Sequence, residues 1–307
     1  MNKRINLIIS AALLATAPAA MAQDAASAQQ IVIQPIFEYP VAPDSITSFQ
    51  DKSDYLVEHF WDQLDFKTKK TFDQNALNHA MSVYMTPLQF CSPEAAEKSI
   101  NKLIAGIAGN QVLCLQFAKA AEENLYGPRS EMWSDDLYLK FIDPLLKNKK
   151  IKKERKARYQ RQATLLQNTK NGAVPPAFDY QTPDGKTSRF VPNGVITVIE
   201  FGDPDCDECR SAKLRMDTDV KFNSLIDRGL VNVLFIYVDP EEGWQTKLSG
   251  YPSKWHVGAS DEVGDLYDLR STPSIYVIDR EGKVALKNIS VETAMSAAGI
   301  IATGQQQ

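Results

Sequence analysis

Hydrophobic residues recur at steps of three and four along the first half of the chain, and this spacing predicts helices. The pattern starts near Ser53. At Ser92 and Pro93 it shows a helix start, since serine caps helices and proline fits the first turn. We predict helices over 53–64, 75–84, 93–108, 112–125, 136–146 and 151–167. Residues from about 50 to 168 therefore form an all-helical unit.

The pattern changes to strands after Asn171. The β-branched runs 195–201 (VITVIEF) and 231–238 (VNVLFIYV) predict strands that are buried on both faces. Turn residues at 183–185 and 279–282 predict two β-hairpins. A helix is expected after the first buried strand, with Cys209, Ala212, Met216 and Val220 on one stripe, and another over 291–301. The sequence thus predicts an α+β protein of two domains, an all-α domain followed by an α/β domain.

Residues 1–22 have the features of a cleavable signal peptide. Lys3 and Arg4 precede an apolar run, and Ala20-Met21-Ala22 fits the small-x-small cleavage site. The apolar run is too short for a stop-transfer helix. No cysteine lies near the cleavage site, so the sequence does not support a lipoprotein anchor. We therefore expect cleavage after Ala22 and export to the periplasm, where conditions are oxidising. An uncleaved anchor is the alternative.

Composition shifts divide the remaining chain into three parts. Residues 23–36 are rich in Ala and Gln and predict a disordered lead. Residues 37–170 form the helical domain, and 171–307 form the α/β domain, which the stiff sequence Val174-Pro175-Pro176 introduces.

The charge balance bears on possible partners. The chain has 34 Lys and Arg against 38 Asp and Glu, a net charge of −4, and this argues against nucleic-acid binding. One run, 147–161, is strongly basic. It predicts the solvated face of a helix, while binding to anionic lipid or an acidic partner is the alternative.

Cys206 and Cys209 are the main candidates for chemistry. They follow a buried strand and open a helix, where the helix dipole and free N–H groups stabilise a thiolate. The second cysteine, one turn later, can attack a mixed disulfide, so the pattern predicts redox chemistry. A purely structural disulfide between the two cysteines is an alternative interpretation. The pair could also be half of a zinc site, but zinc needs four ligands and the sequence has no second Cys-x-x-Cys. A Cys/His hydrolase is a further alternative, with His256 as the base, and nothing in the local sequence supports it.

Two further positions accompany this pair. Pro273 directly precedes a strand and, if its peptide bond is cis, leaves the backbone of Thr272 free to pair with an extended peptide. Glu200 lies inside a strongly apolar strand, where burial should raise the pKa of its carboxyl. Glu200 could shuttle the proton of Cys209. Alternatively, it lies at the end of the strand, where water reaches its carboxyl.

Cys91 and Cys114 lie on either side of the helix predicted over 93–108. A helix of that length separates them by about 25 Å. A disulfide needs Cα atoms within about 7 Å, so we interpret both as buried free thiols. The pair Trp255-His256 is expected to belong to the core.

The segments VITVIEFGDPDCDEC and LRSTPSIYVIDREGKVALK resemble the thioredoxin-like domain of TlpA/ResA-class envelope thiol-disulfide oxidoreductases. FEYPVAP and YLVEHFWDQLDF resemble a helical domain of uncharacterised function in Bacteroidetes envelope proteins. The resemblance implies Cys206 as nucleophile, Cys209 as resolving thiol, Pro273 as cis-proline and Glu200 as buried acid. It further implies a reversible Cys206–Cys209 disulfide, protein disulfides as substrates, a membrane or periplasmic thiol electron donor, and no cofactor.

The sequence also departs from the thioredoxin pattern. Asp205 replaces the usual Trp, and Asp207-Glu208 replaces Gly-Pro or Pro-Pro between the cysteines. This negative charge, which Arg210 and Lys213 only partly offset, disfavours the thiolate and therefore favours a reductant or isomerase over a strong oxidant. The other interpretation is a non-catalytic envelope binding or scaffold protein with a structural Cys206–Cys209 bridge.

Overall fold

The structure, a computed structural model, describes residues 33–304. The chain from Pro35 onwards belongs to one compact unit. The predicted signal peptide, its cleavage after Ala22 and most of the predicted 23–36 lead lie outside the described residues. Among the described helices, none combines the length and the apolar character that a membrane crossing requires.

The first half of the described chain is helical. Ser92 caps one of these helices as predicted, since its hydroxyl accepts from the Ala95 N–H at 3.2 Å. A π-helical turn, Glu122–Tyr126, continues the fourth. The helices are α1 Phe49–His59, α2 Gln74–Leu88, α3 Pro93–Ala108, α4 Gln111–Ala121, α5 Asp135–Lys147 and α6 Lys153–Asn168. They enclose a core rich in aromatic side chains, among them Trp61, Tyr84 and Phe117.

The second half forms one sheet in the order β2-β1-β5-β4-β3-β6-β7. The strands are β1 Phe178–Gln181, β2 Thr187–Phe190, β3 Ile196–Gly202, β4 Val231–Tyr237, β5 His256–Ala259, β6 Ser274–Ile278 and β7 Val284–Lys287. β3, β4 and β5 are parallel, and the other pairs are antiparallel. Both predicted hairpins are present. β5 was not predicted, because its four residues have no strand pattern; Trp255 before it is buried, whereas His256 is exposed.

Four helices accompany this sheet: α7 Asp207–Thr218, α8 Val220–Asp227, α9 Val263–Leu266 and α10 Val291–Thr303. The prediction of a single helix after β3 that includes Val220 is wrong, because α7 ends at Thr218 and Val220 begins α8. Asp219 has extended backbone and its carboxylate accepts from the Phe222 N–H at 2.7 Å, so it caps a new helix. Val220 is consequently 83% exposed instead of buried. The fold class is confirmed: an all-α region is followed by an α/β thioredoxin-like fold.

Candidate active site

Cys206 lies at the N-cap of α7, directly after the loop that leaves β3. Its Sγ accepts a hydrogen bond from the Cys209 N–H at 3.3 Å. The same Sγ lies 3.5 Å from Oε2 of Glu208, to which the thiol donates. The Cys209 N–H and the helix N-terminus present positive partial charge to this sulfur, and the Glu208 carboxylate presents negative charge. Cys206 is partly exposed and can reach a substrate.

Cys209 lies one turn further on and is completely buried. Burial raises the pKa of its thiol, and the neighbouring Cys206 raises this pKa further. Gly202, the last residue of β3, makes room for it: a Cβ at Gly202 would lie 2.9 Å from the Cys209 Sγ. Both cysteines are free in the structure, and their disulfide stays a prediction.

Glu200 is a buried acid without a hydrogen-bond partner. Its side chain is fully enclosed, and neither carboxylate oxygen is hydrogen-bonded among the described residues. Burial raises the pKa of Glu200 from 4.5 to about 8, while the charge of Lys213 opposes this rise. The Lys213 ammonium lies 4.3 Å from the ring centre of Tyr251. The negative charge of Glu200 in turn contributes to the raised pKa values of Cys209 and Tyr251.

The Thr272–Pro273 peptide bond is cis, as the resemblance implies. Ser274 pairs with Phe201 of β3, so the antiparallel register brings Pro273 beside Gly202. Because Gly202 adjoins the Cys209 sulfur, the structure brings the two cysteines and the proline to one corner of the sheet. Thr272 lines a cavity of about 540 Å³. The roles of Pro273 and Thr272 in substrate binding stay predictions.

The acidic loop around Cys206 has cationic partners. Lys247 contacts Asp205 at 2.7 Å, and Arg210 pairs with Asp207 and donates to the Asp205 carbonyl oxygen. Lys213, whose charge was also expected to offset the acids, directs its side chain to Tyr251 and the Gly250 carbonyl and forms no ion pair with the loop among the described residues. Sequence reasoning missed Lys247, which lies in a short 3₁₀ helix, Trp244–Leu248, that is distant in the chain and has no recognisable pattern.

A buried ionic cluster lies just before the cis-proline, and sequence reasoning missed it too. The guanidinium of Arg270 is 3% exposed and donates to Asp268 and, at 2.6 Å, to Asp135 at the start of α5. Lys287 contacts the same two carboxylates at 2.7 and 3.1 Å. The Arg270 guanidinium also lies 4.3 Å from the ring centre of Tyr126. The helical region thus holds the segment that leads into Thr272.

The other candidate residues lie outside this corner. His256 begins β5, whereas Cys206 follows the end of β3. Through β4, His256 is level with Ile199 in the middle of β3. No hydrogen bond joins it to Cys206 among the described residues, so the structure does not support a Cys/His pair. Cys91 and Cys114 are free as predicted, although Cys91 is only partly buried. Within residues 33–304, no group of three or more His, Cys, Asp or Glu side chains is arranged to hold a metal ion.

The sheet, the two cysteines at the start of α7 and the cis-proline define a protein with a thioredoxin-like fold. Residues 14–169 match the family described as "Domain of unknown function (DUF5106)", and the chain belongs to this family. A comparison with curated proteins finds no match.

One solved structure supports the fold of nearly the whole chain, and others are similar to part of it. A thioredoxin-like protein from Bacteroides caccae is 21% identical, with a TM-score of 0.68 over 87% of this chain and 99% of that one. A conserved protein of unknown function from Bacteroides fragilis is 32% identical over 42% of this chain and 98% of that one, with a TM-score of 0.40. The thioredoxin domain of a thiol-disulfide oxidoreductase from Bacteroides vulgatus is 21% identical over 41% and 94%, with a TM-score of 0.36.

Proposed function

We propose that the chain is a thiol-disulfide oxidoreductase that reduces or isomerises disulfides of exported proteins. One observation carries the proposal: an accessible cysteine at a helix N-terminus has a buried thiol one turn away, with its N–H on the first sulfur. This arrangement suits a nucleophile and a resolving thiol. The likeness to a thioredoxin-like protein over nearly the whole chain supports the fold on which this chemistry depends.

In the first step, the Cys206 thiolate attacks one sulfur of a substrate disulfide. A new bond forms between Cys206 and that sulfur, the substrate S–S bond breaks, and the second substrate sulfur leaves as a thiolate that takes up a proton. The N–H of Cys209 and the start of α7 stabilise the attacking thiolate. Cys209 stays protonated during this step, because burial raises its pKa.

In the second step, Cys209 attacks the Cys206 sulfur. This forms the Cys206–Cys209 disulfide and releases the remaining substrate sulfur as a thiolate, so two electrons pass to the substrate. Cys209 must lose its proton to react, and we assign the Glu200 carboxylate as its acceptor. A pKa of about 8 leaves part of Glu200 ionised near neutral pH, and its carboxylate has no competing hydrogen bond.

The oxidised pair must be reduced again before the next cycle. We assign this task to a thiol electron donor in the membrane or the periplasm, in keeping with the expected signal peptide. Glu208 and the neighbouring acids Asp203, Asp205 and Asp207 place negative charge around Cys206. This charge opposes a negatively charged sulfur, so the pair lacks the strongly stabilised thiolate of a strong oxidant, and reduction or isomerisation is favoured.

Trapping with cysteine variants tests this proposal. The Cys209→Ser protein cannot resolve mixed disulfides, so it should accumulate them through Cys206 when incubated with proteins that contain disulfides. The matched Cys206→Ser protein should form none, since Cys209 is buried. A Cys209→Ser protein that stays free of adducts on non-reducing gels would favour the alternative, a scaffold with a structural Cys206–Cys209 bridge.

A further inference from the structure

A cavity of about 540 Å³ opens between the helical region and the sheet. Its helical wall comes from the π-helical turn after α4, from the residues that follow this turn, and from α6. Its other wall comes mainly from loops at the edge of the sheet where the parallel strands end. Pro128 lies exposed at its rim. The DUF5106 region therefore forms a wall of this cavity.

The cavity adjoins the candidate active site at Thr272. Thr272 lines it and is bonded to Pro273, and the sheet register brings Pro273 beside Gly202 and thus close to Cys209. A polypeptide that pairs with the Thr272 backbone while its cysteine reaches Cys206 would place a neighbouring side chain at the cavity. Arg270 fixes this edge, since it also lines the cavity and bonds to Asp135.

The walls combine apolar and acidic groups. The apolar part with accessible surface includes Val238, Leu269 and Pro128. Asp239 and Asp261 also line the cavity; both are solvent-exposed and have no ion-pair partner among the described residues. The other charges that line the cavity are compensated, and the pairs are Arg161 with Asp265, Glu122 with Arg158, and Arg270 with Asp135 and Asp268. The cavity thus has two uncompensated negative charges.

We propose that this cavity selects disulfide substrates in which a lysine or arginine flanks the reacting cysteine. The aliphatic stem of such a side chain packs against Val238 and Leu269, while its cation lies near Asp239 and Asp261. The helical region then contributes to substrate choice and takes no part in the sulfur chemistry. This inference rests on the proposed oxidoreductase function and names its substrate class.

Activated peptides test the selection. The probes are equal-length synthetic peptides with one cysteine as a thionitrobenzoate mixed disulfide, flanked on both sides by Arg, Gln or Glu. The Cys209→Ser protein is used so that the product stays trapped on Cys206. We expect it to react with the Arg peptide about tenfold faster than with the Gln peptide at low salt, and slowest with the Glu peptide. The preference should fall in about 1 M salt.

Two sets of variants locate the preference in the cavity. Asp239→Asn with Asp261→Asn removes both charges, and asparagine tolerates the positive φ of 53° at position 239. The control, Asp44→Asn with Asp217→Asn, changes two exposed acids outside the cavity. We expect the Arg preference to fall to about threefold or less only in the first pair. Pro128→Trp should slow all three peptides by narrowing the mouth from the helical side.

A small neutral reagent, dithiodipyridine, separates the two hypotheses. It reports the reactivity of Cys206 without a peptide, and its rate should be the same in the cavity variants and their parent. If Cys206 reacts with dithiodipyridine but the cavity variants keep the full Arg preference, the selection hypothesis is overturned and the proposed function stands. If Cys206 forms no adduct with any probe, the proposed function itself fails.

Discussion

Arg270 and Asp135 form a buried ion pair at 2.6 Å that joins the helical region to the segment before the cis-proline. Arg270 is two residues before Thr272, and Asp135 is the first residue of α5. Both are held by further charges: Arg270 by Asp268, and Asp135 by Lys287. The position of the proposed substrate edge therefore depends on a side chain from the DUF5106 region.

Asp135→Asn should weaken this junction. The substitution removes one carboxylate from two buried cations, so we expect the free energy of unfolding to fall by about 2 kcal/mol. Reaction of peptide disulfides should slow more than reaction of dithiodipyridine, because the substrate edge loses its support while Cys206 is unchanged. Asp143→Asn, which breaks an exposed pair with Lys147 in the same helix, is the control and should cost about 0.5 kcal/mol or less. Equal effects of both substitutions would contradict the assignment.

Glu200→Gln should change how stability depends on pH. Between 4.5 and about 8 the folded protein keeps a proton on Glu200 that the unfolded chain releases. This group's contribution is therefore full below pH 4.5, and stability falls by about 1.4 kcal/mol per pH unit as pH rises toward 8. The variant should lose this slope in urea unfolding of the reduced protein. The exposed Glu154→Gln is the control, and parallel slopes for wild type and Glu200→Gln would contradict the raised pKa.

The same Glu200→Gln substitution should slow the second chemical step. Without a proton acceptor, release of a trapped substrate by Cys209 should become slower near neutral pH, while formation of the mixed disulfide should keep its rate. Stopped-flow measurement of both phases across pH checks this split. Unchanged release rates at every pH would remove the proton role of Glu200.

Glu208→Gln should make Cys206 more reactive. Its carboxylate accepts from the thiol at 3.5 Å, so a neutral amide would remove the negative charge that opposes a negatively charged sulfur at this position. We expect alkylation by iodoacetamide near neutral pH to accelerate about threefold, which corresponds to a decrease of about 0.6 kcal/mol in the activation free energy. Asp207→Asn is the matched control, since Asp207 pairs with Arg210. A larger acceleration in the control would assign the effect to the general negative charge.

Gly202→Ala should disturb the buried thiol. The added Cβ would lie 2.9 Å from the Cys209 Sγ and 3.6 Å from the Phe235 ring, which forces a shift in a packed region. We expect a loss of about 1–3 kcal/mol in unfolding free energy and slower closure of the Cys206–Cys209 disulfide. Gly109→Ala is the control because a Cβ there meets nothing within 4 Å. Comparable losses in both variants would exclude a specific contact.

Much of the fold follows from local patterns in the sequence. The buried strands β3 and β4 are apolar runs rich in β-branched residues. The cap at Ser92 uses a residue type that is strongly preferred at helix N-caps. The break at Asp219 was missed because Val220 continues the helical stripe, although the aspartate is itself a strong cap. β5 was missed because its short segment is held by pairing with β4 and not by its own composition.

The candidate site shows the same limit. Cys206 and Cys209 form a local motif, and Glu200 is conspicuous as an acid in an apolar strand, so sequence reasoning reached all three. Lys247, Arg270 and the cavity depend on side chains that are distant in the chain. In the sequence, Lys247 and Arg270 cannot be distinguished from ordinary surface residues. Only the fold brings Asp205 to Lys247 and Asp135 to Arg270.

A redox titration of the mature protein tests the central claim most directly. The protein is equilibrated in dithiol buffers of known potential, alkylated, and analysed by mass for each cysteine. We predict one reversible two-electron couple for Cys206 and Cys209 between about −270 and −180 mV, the range of reductants and isomerases, with Cys91 and Cys114 outside that couple. A pair that keeps one redox form at every potential would contradict the account and indicate a structural role.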